Sequence, residues 1–219
     1  MLMTMNCLRK FGARAAAFGL VALVVFVAGC TRTTNAPSGG ARSTAPVTHK
    51  SSIPMAELQK RILAYADSLE SRADISPDKF GEAIGFTLAP VEGNSIKSQA
   101  RNLVVAEGYN YSASFFSVEA ADDYPMHSII FYQQGKPPVT ESANGVCYWD
   151  ADEAGRELER LGYSGGEESP FQRGGIRNFW RPGAEGKQTL SASLLTYLSG
   201  MNPGAPTCVY EVRFGGADR

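Results

Sequence analysis

Hydrophobic residues change their spacing several times along the chain, and each change marks an element. Met55, Leu58, Ile62, Tyr65, Ala66 and Leu69 recur at helical intervals, with Gln59, Lys60, Asp67 and Arg72 between them. That spacing predicts an amphipathic helix to about residue 71, packed by one face on a sheet. Ser52 is placed to cap it, and Pro54 suits its first turn. The polar face mixes both signs of charge, unlike the basic belt of a membrane-surface helix. Ser76-Pro77-Asp78 repeats the cap signature and opens a short helix through about residue 83, closed by Gly85.

The period then falls to two. Residues 86–91 read as a strand, with Pro90 pointing to an edge, and residues 92–95 as a turn. Residues 103–105 are apolar. Within 109–118, Tyr109, Tyr111, Ala113 and Phe115 alternate with Asn110, Ser112 and Ser114, the pattern of a half-buried strand. After a turn at Asp122-Asp123-Tyr124-Pro125, residues 126–133 form the next strand. Short polar turns between such strands favour antiparallel pairing. Residues 134–144 read as a loop and 145–149 as a short strand. Asp150, with Glu153 three positions on, makes a capping box. The helix that follows buries Ala154, Leu158 and Leu161 and stops at Gly162. Residues 164–169 read as a Gly-rich turn. It follows a helix and lacks a terminal Lys-Ser/Thr pair, so it is not a P-loop. Three strands complete the pattern, at 171–180, 188–198 and 207–214, and residues 215–219 read as a fraying tail. The expected fold class is α+β: an antiparallel β-sheet with two or three helices packed on one face, as a single domain over residues 53–214.

The first 52 residues have another character. Arg9, Lys10 and Arg14 precede an apolar run over residues 15–28, too short for the roughly 20 residues of a spanning helix. The run ends in Val27-Ala28-Gly29-Cys30, which resembles the lipobox of a bacterial lipoprotein precursor. The resemblance covers residues 1–30. It implies a signal peptide over 1–29, cleavage before Cys30 and a diacylglyceryl group on the Cys30 thiol, with acylation of the new amine in many bacteria. Acyl chains at about 0.8 kcal/mol per buried methylene then hold the chain on a membrane. Thr31 lacks the negative charge that often retains such proteins at the inner membrane. The family's sorting rule thus implies the outer membrane, facing the periplasm. Residues 30–52 are rich in Ser, Thr, Gly, Ala and Pro, and read as the lipidated cysteine with a disordered tether.

Removing residues 1–29 takes three of the 21 basic residues and none of the 22 acidic ones, so the formal net charge moves from −1 to −4. A mildly acidic, well-mixed chain argues against nucleic acid as a partner. Cys7 leaves with the signal and Cys30 takes lipid. Cys147 and Cys208 remain, and in an oxidising compartment they are expected to pair. That bond closes a loop of roughly 60 residues, worth about 4 kcal/mol at most in the loop-entropy model.

Candidate chemistry is sparse. Asp122 with Asp123, and Glu167 with Glu168, are adjacent carboxylates in hydrophilic stretches, where solvation explains them better than ion binding. His127 begins a strand with no nucleophile motif nearby. With only His49 and His127 available, no metal site, cofactor site or catalytic set is assigned. Aromatic residues gather in the C-terminal half. Trp149, Arg173, Arg177, Trp180 and Arg181 are the candidate interaction patch, since Trp and Arg dominate interface hot spots. The expected function is a lipid-anchored, non-enzymatic envelope protein that binds a periplasmic protein, in the manner of an immunity or inhibitor lipoprotein. The alternatives are an envelope-assembly or structural accessory lipoprotein, and an enzyme with an unrecognised site.

Overall fold

The computed structural model describes residues 52–105, 108–117, 125–141, 146–184, 186 and 188–218. Cys30, the signal segment, the tether to residue 51 and Asp122-Asp123 lie outside these residues. The described residues form three α-helices: α1 (Met55–Ser68), α2 (Pro77–Ile84) and α3 (Ala151–Arg160). The strands are β1 (Ala89–Val91), β2 (Asn94–Val104), β3 (Asn110–Phe116), β4 (Met126–Tyr132), β5 (Ser164–Phe171), β6 (Gly174–Pro182), β7 (Gln188–Leu198) and β8 (Thr207–Asp218). All pair antiparallel in one sheet, in the order β1-β2-β3-β4-β8-β7-β6-β5. The sheet is thus two four-stranded meanders joined along β4 and β8.

The period-two pattern decides which face the helices cover. Ala113, Ile129, Val212 and Leu194 are aligned across β3, β4, β8 and β7, and Phe115, His127, Phe214 and Ala192 form the adjacent row. All but Phe115 are buried. Against them α1 sets Leu58, Ile62, Tyr65 and Ala66, α2 sets Phe80 and Ile84, and α3 sets Ala154 and Leu158. The Tyr65 ring lies 5.0 Å from Phe80 and 5.3 Å from Phe214, in the tilted and edge contacts that aromatic pairs prefer. The α+β class, the antiparallel sheet and the one-sided helices are as the hydrophobic pattern predicts.

The disulfide is also present, joining Cys147 and Cys208 with Cα atoms 5.2 Å apart. Of the strand expected over 145–149, the described residues 146–149 form no strand and bend at Tyr148 and Trp149. They are held beside β8 by the disulfide, by the Val209 amide donating to the Trp149 carbonyl, and by a bridge between Asp150 and Cys208. Four other local expectations are corrected. The cap of α1 is Pro54, with no side-chain hydrogen bond, rather than Ser52. Phe86 does not open a strand, because its amide closes the end of α2 on the Gly81 carbonyl. Residues 164–169 are not a turn but most of edge strand β5, and the real turn falls after Phe171. The glycines serve close approach there. A Cβ on Gly165 would lie 2.4 Å from the Asn178 carbonyl oxygen, and one on Gly166 would lie 2.6 Å from the Phe179 ring. Finally, residues 215–218 are not a frayed tail but the last part of β8, paired with β7 as far as Asp218. Gly216 leaves room for Ile75 to rest on the strand, since a Cβ there would meet Ile75 Cδ1 at 2.9 Å.

Candidate functional site

Side chains that alternate with the buried rows project from the face opposite the helices. Three cross-strand rows follow from the register. The first aligns Phe116, Met126, Gly215, Ser191 and Trp180. The second aligns Gln99, Ser114, Ser128, Arg213, Ser193 and Asn178. The third aligns Ser112, Ile130, Glu211, Leu195 and Ile176. The face is therefore a polar belt between two rows that carry its apolar groups. Trp180 is 48% exposed and Ile130 39%.

The belt is tied together at its centre. Arg213 Nε donates to Glu211 Oε1 at 2.6 Å and its Nη2 to Oε2 at 3.1 Å, a two-point ion pair along one strand. Ser128 Oγ donates to the same Glu211 Oε1 at 2.8 Å across the β4–β8 seam. Glu211 is only 6% exposed, so this pairing supplies what water no longer does. The Arg213 guanidinium also faces the Phe171 ring, 5.8 Å from its centre. Further along, Ser193 Oγ donates to Asn178 Oδ1 at 2.7 Å. Ser128, Arg213, Ser193 and Asn178 are thus held in place by their neighbours within the belt.

Toward the opposite end of β6 from Trp180 lies a cleft of about 660 Å³. Its walls are a 3-10 turn, Val139–Glu141, and the tip of the β5–β6 hairpin, linked by an ion pair between Glu141 and Arg173. Gly174 and Gly175 line it. A Cβ on Gly174 would lie 2.0 Å from the Thr196 carbonyl oxygen, and one on Gly175 would lie 2.7 Å from the Thr196 hydroxyl. Only glycine admits β7 this closely. Thr196 is fully buried and its hydroxyl has no hydrogen-bond partner.

The five residues of the candidate patch do not come together. Trp149 is buried in the core, 4% exposed. Arg177 belongs to the helix side, where its Nη1 meets Asp152 at 2.6 Å at the start of α3 and its Nε meets Glu168 at 2.9 Å. Arg181 is a clasp for two helix ends. Its guanidinium donates to the carbonyls of Ala66, Asp67 and Leu69 at the end of α1, and to Leu161 at the end of α3. It lies 4.7 Å above the Tyr163 ring, whose hydroxyl donates to Ala66 as well. Arg173 is at the cleft, and Trp180 alone stands on the helix-free face. Period two explains the separation, since Trp180 falls out of phase with Arg177, Phe179 and Arg181.

His127 is fully buried against Tyr65, Phe80 and Phe115, with both ring nitrogens lacking a hydrogen-bond partner. Burial drives its pKa down to about 3, and the Ser76 backbone beside it offsets only part of that. It is a neutral core residue. Among the described residues no three His, Cys, Asp or Glu side chains gather as a metal site. The Ser128–Glu211–Arg213 centre and the Gly174–Gly175–Thr196 cleft were not singled out from the sequence. The signal for the first was the polar phase of 207–214, where Glu211 and Arg213 stand at alternate positions. The second carried none, because adjacent glycines in a strand do not say what approaches them. Compared with known proteins, the chain matches no protein-family model, no curated protein and no solved structure.

Proposed function

We propose that this chain is an exported, lipid-anchored binding protein that holds a protein partner in the cell envelope on the helix-free face of its sheet. The observation that carries the reading is that face: an exposed Trp180, half-buried Phe116 and Met126 in the same row, and a self-paired polar belt beside them. Exposed aromatics next to groups that need no reordering are the composition of an interface hot spot, because binding costs little conformational entropy there. The Val27-Ala28-Gly29-Cys30 resemblance supports the anchor, and the Cys147–Cys208 disulfide supports an oxidising compartment.

Two experiments separate the anchor from the interface. With Cys30→Ala, the protein is expected to lose its acyl label and leave the membrane fraction. Unchanged mass and membrane association, with no label on the parent, overturns the anchor. For the interface, a photo-crosslinking residue is placed at 180 or, as a control on the exposed side of α3, at 156. A discrete adduct from 180 alone is expected in intact cells. No adduct, or the same adducts from both positions, overturns the docking face.

A further inference from the structure

The cleft at the β5–β6 hairpin carries a carboxylate oxygen with no protein donor and an unmatched hydroxyl on the same side. Glu168 uses Oε2 on Arg177 Nε, and among the described residues no donor reaches its Oε1. That Oε1 lies 2.8 Å from where a Cβ on Gly175 would stand, and the Thr196 hydroxyl lies 2.7 Å from the same point. The missing side chain of Gly175 thus lets two oxygens from different strands converge. Arg177 is shared between Asp152 and Glu168, while Arg173 pairs with Glu141, so Glu168 has half of one guanidinium. The rim also carries Thr140 and Thr207, and its apolar side is Val139 with Leu198, 62% exposed, and Met201, 85% exposed.

We propose that this cleft binds a protonated alkylamine, with the ammonium between Glu168 Oε1 and the Thr196 hydroxyl and the carbon chain along Leu198 and Met201. An ammonium supplies both missing partners. It gives a charge-assisted hydrogen bond to the carboxylate and a donor to a hydroxyl that is otherwise buried without one. A neutral alcohol brings Oε1 a donor but no opposite charge, and a carboxylate ligand meets it with like charge. The same chemistry comes from two sources, a free aliphatic amine or the lysine side chain of a peptide. The site stands apart from the Trp180 row, so its test is independent of the docking face.

The full-length chain is titrated at neutral pH with n-pentylamine, n-pentanol and pentanoate, and with an N-acetylated pentapeptide carrying one lysine. Binding is followed by the backbone amide shifts of Gly174, Gly175 and Thr196. Saturable shifts with an amine, at least tenfold tighter than with the alcohol and absent with pentanoate, are expected. Whichever of pentylamine and the lysine peptide binds tighter identifies the source. Glu168→Gln is expected to weaken amine binding at least tenfold. Thr196→Val is expected to weaken it severalfold while leaving thermal stability undiminished, because it removes a buried hydroxyl that has no partner. Equal affinity for amine and alcohol, full affinity in Glu168→Gln, or no saturable shift with either amine overturns the proposal.

Discussion

At position 127 a titratable ring sits among Tyr65, Phe80 and Phe115 with no partner for either nitrogen. The folded protein holds it neutral, because its pKa falls from 6.5 to about 3. The unfolded chain protonates it below about 6.5. Stability from this residue is therefore whole above pH 6.5 and is lost as pH falls from there toward 3, at about 1.4 kcal/mol per unit. By pH 5 the loss is about 2 kcal/mol. Urea unfolding between pH 7.5 and 5 is expected to show that slope in the parent and a much flatter one in His127→Phe. Equal slopes would mean that other groups set the dependence. The sequence put His127 at a strand start and left it without a role. Its burial follows from the alternation of β4, where it shares a phase with Ile129 and Phe131. What packs opposite came from α1 and α2, more than 40 residues upstream, and no local pattern names such a neighbour.

Helices α1 and α3 end beside one another, and their last carbonyls converge on one guanidinium from β6. The terminal carbonyls of a helix have no partner within it, and they form the negative end of its dipole. Arg181 satisfies three at the end of α1 and one beyond α3. Arg181→Ala is expected to lower unfolding free energy by about 3 kcal/mol, since hydrogen bonds to charged groups contribute about 1.5–3 kcal/mol each and are not additive. Arg181→Lys should recover little, because an ammonium cannot reach both helix ends with a planar fork. Denaturant midpoints check both, and a loss under 1 kcal/mol for Arg181→Ala would remove the clasp from the account. Local rules found the helices because their apolar spacing is strong. They failed for β2, β5 and the last residues of β8. Asn94–Val104 has too few apolar positions to alternate, and Ser164–Phe171 looks like a turn because its glycines serve contact with β6.

Across the domain, the segment leading into α3 is fastened to β8 by the Cys147–Cys208 bond, which spans 61 positions. Replacing both cysteines by alanine is expected to lower stability by up to about 4 kcal/mol, mainly by freeing the unfolded chain. The urea midpoint should fall, and hydrogen exchange should quicken at residues 146–150 before it does in β3 or β4. Unchanged exchange there would show that the segment is held by its backbone bonds alone. The fold class and this pairing were legible because alternation and cysteine arithmetic are long-range signals. The helix-free face was less so, because a residue's neighbours across strands depend on register. The order β1-β2-β3-β4-β8-β7-β6-β5 has a further consequence. The two meanders touch along β4 and β8, and β8 is the last of the eight strands in chain order. A growing polypeptide therefore carries its first meander with an open margin at β4 until β8 has been made. On the export route proposed above, that delay would keep the chain threadable until β8 has followed.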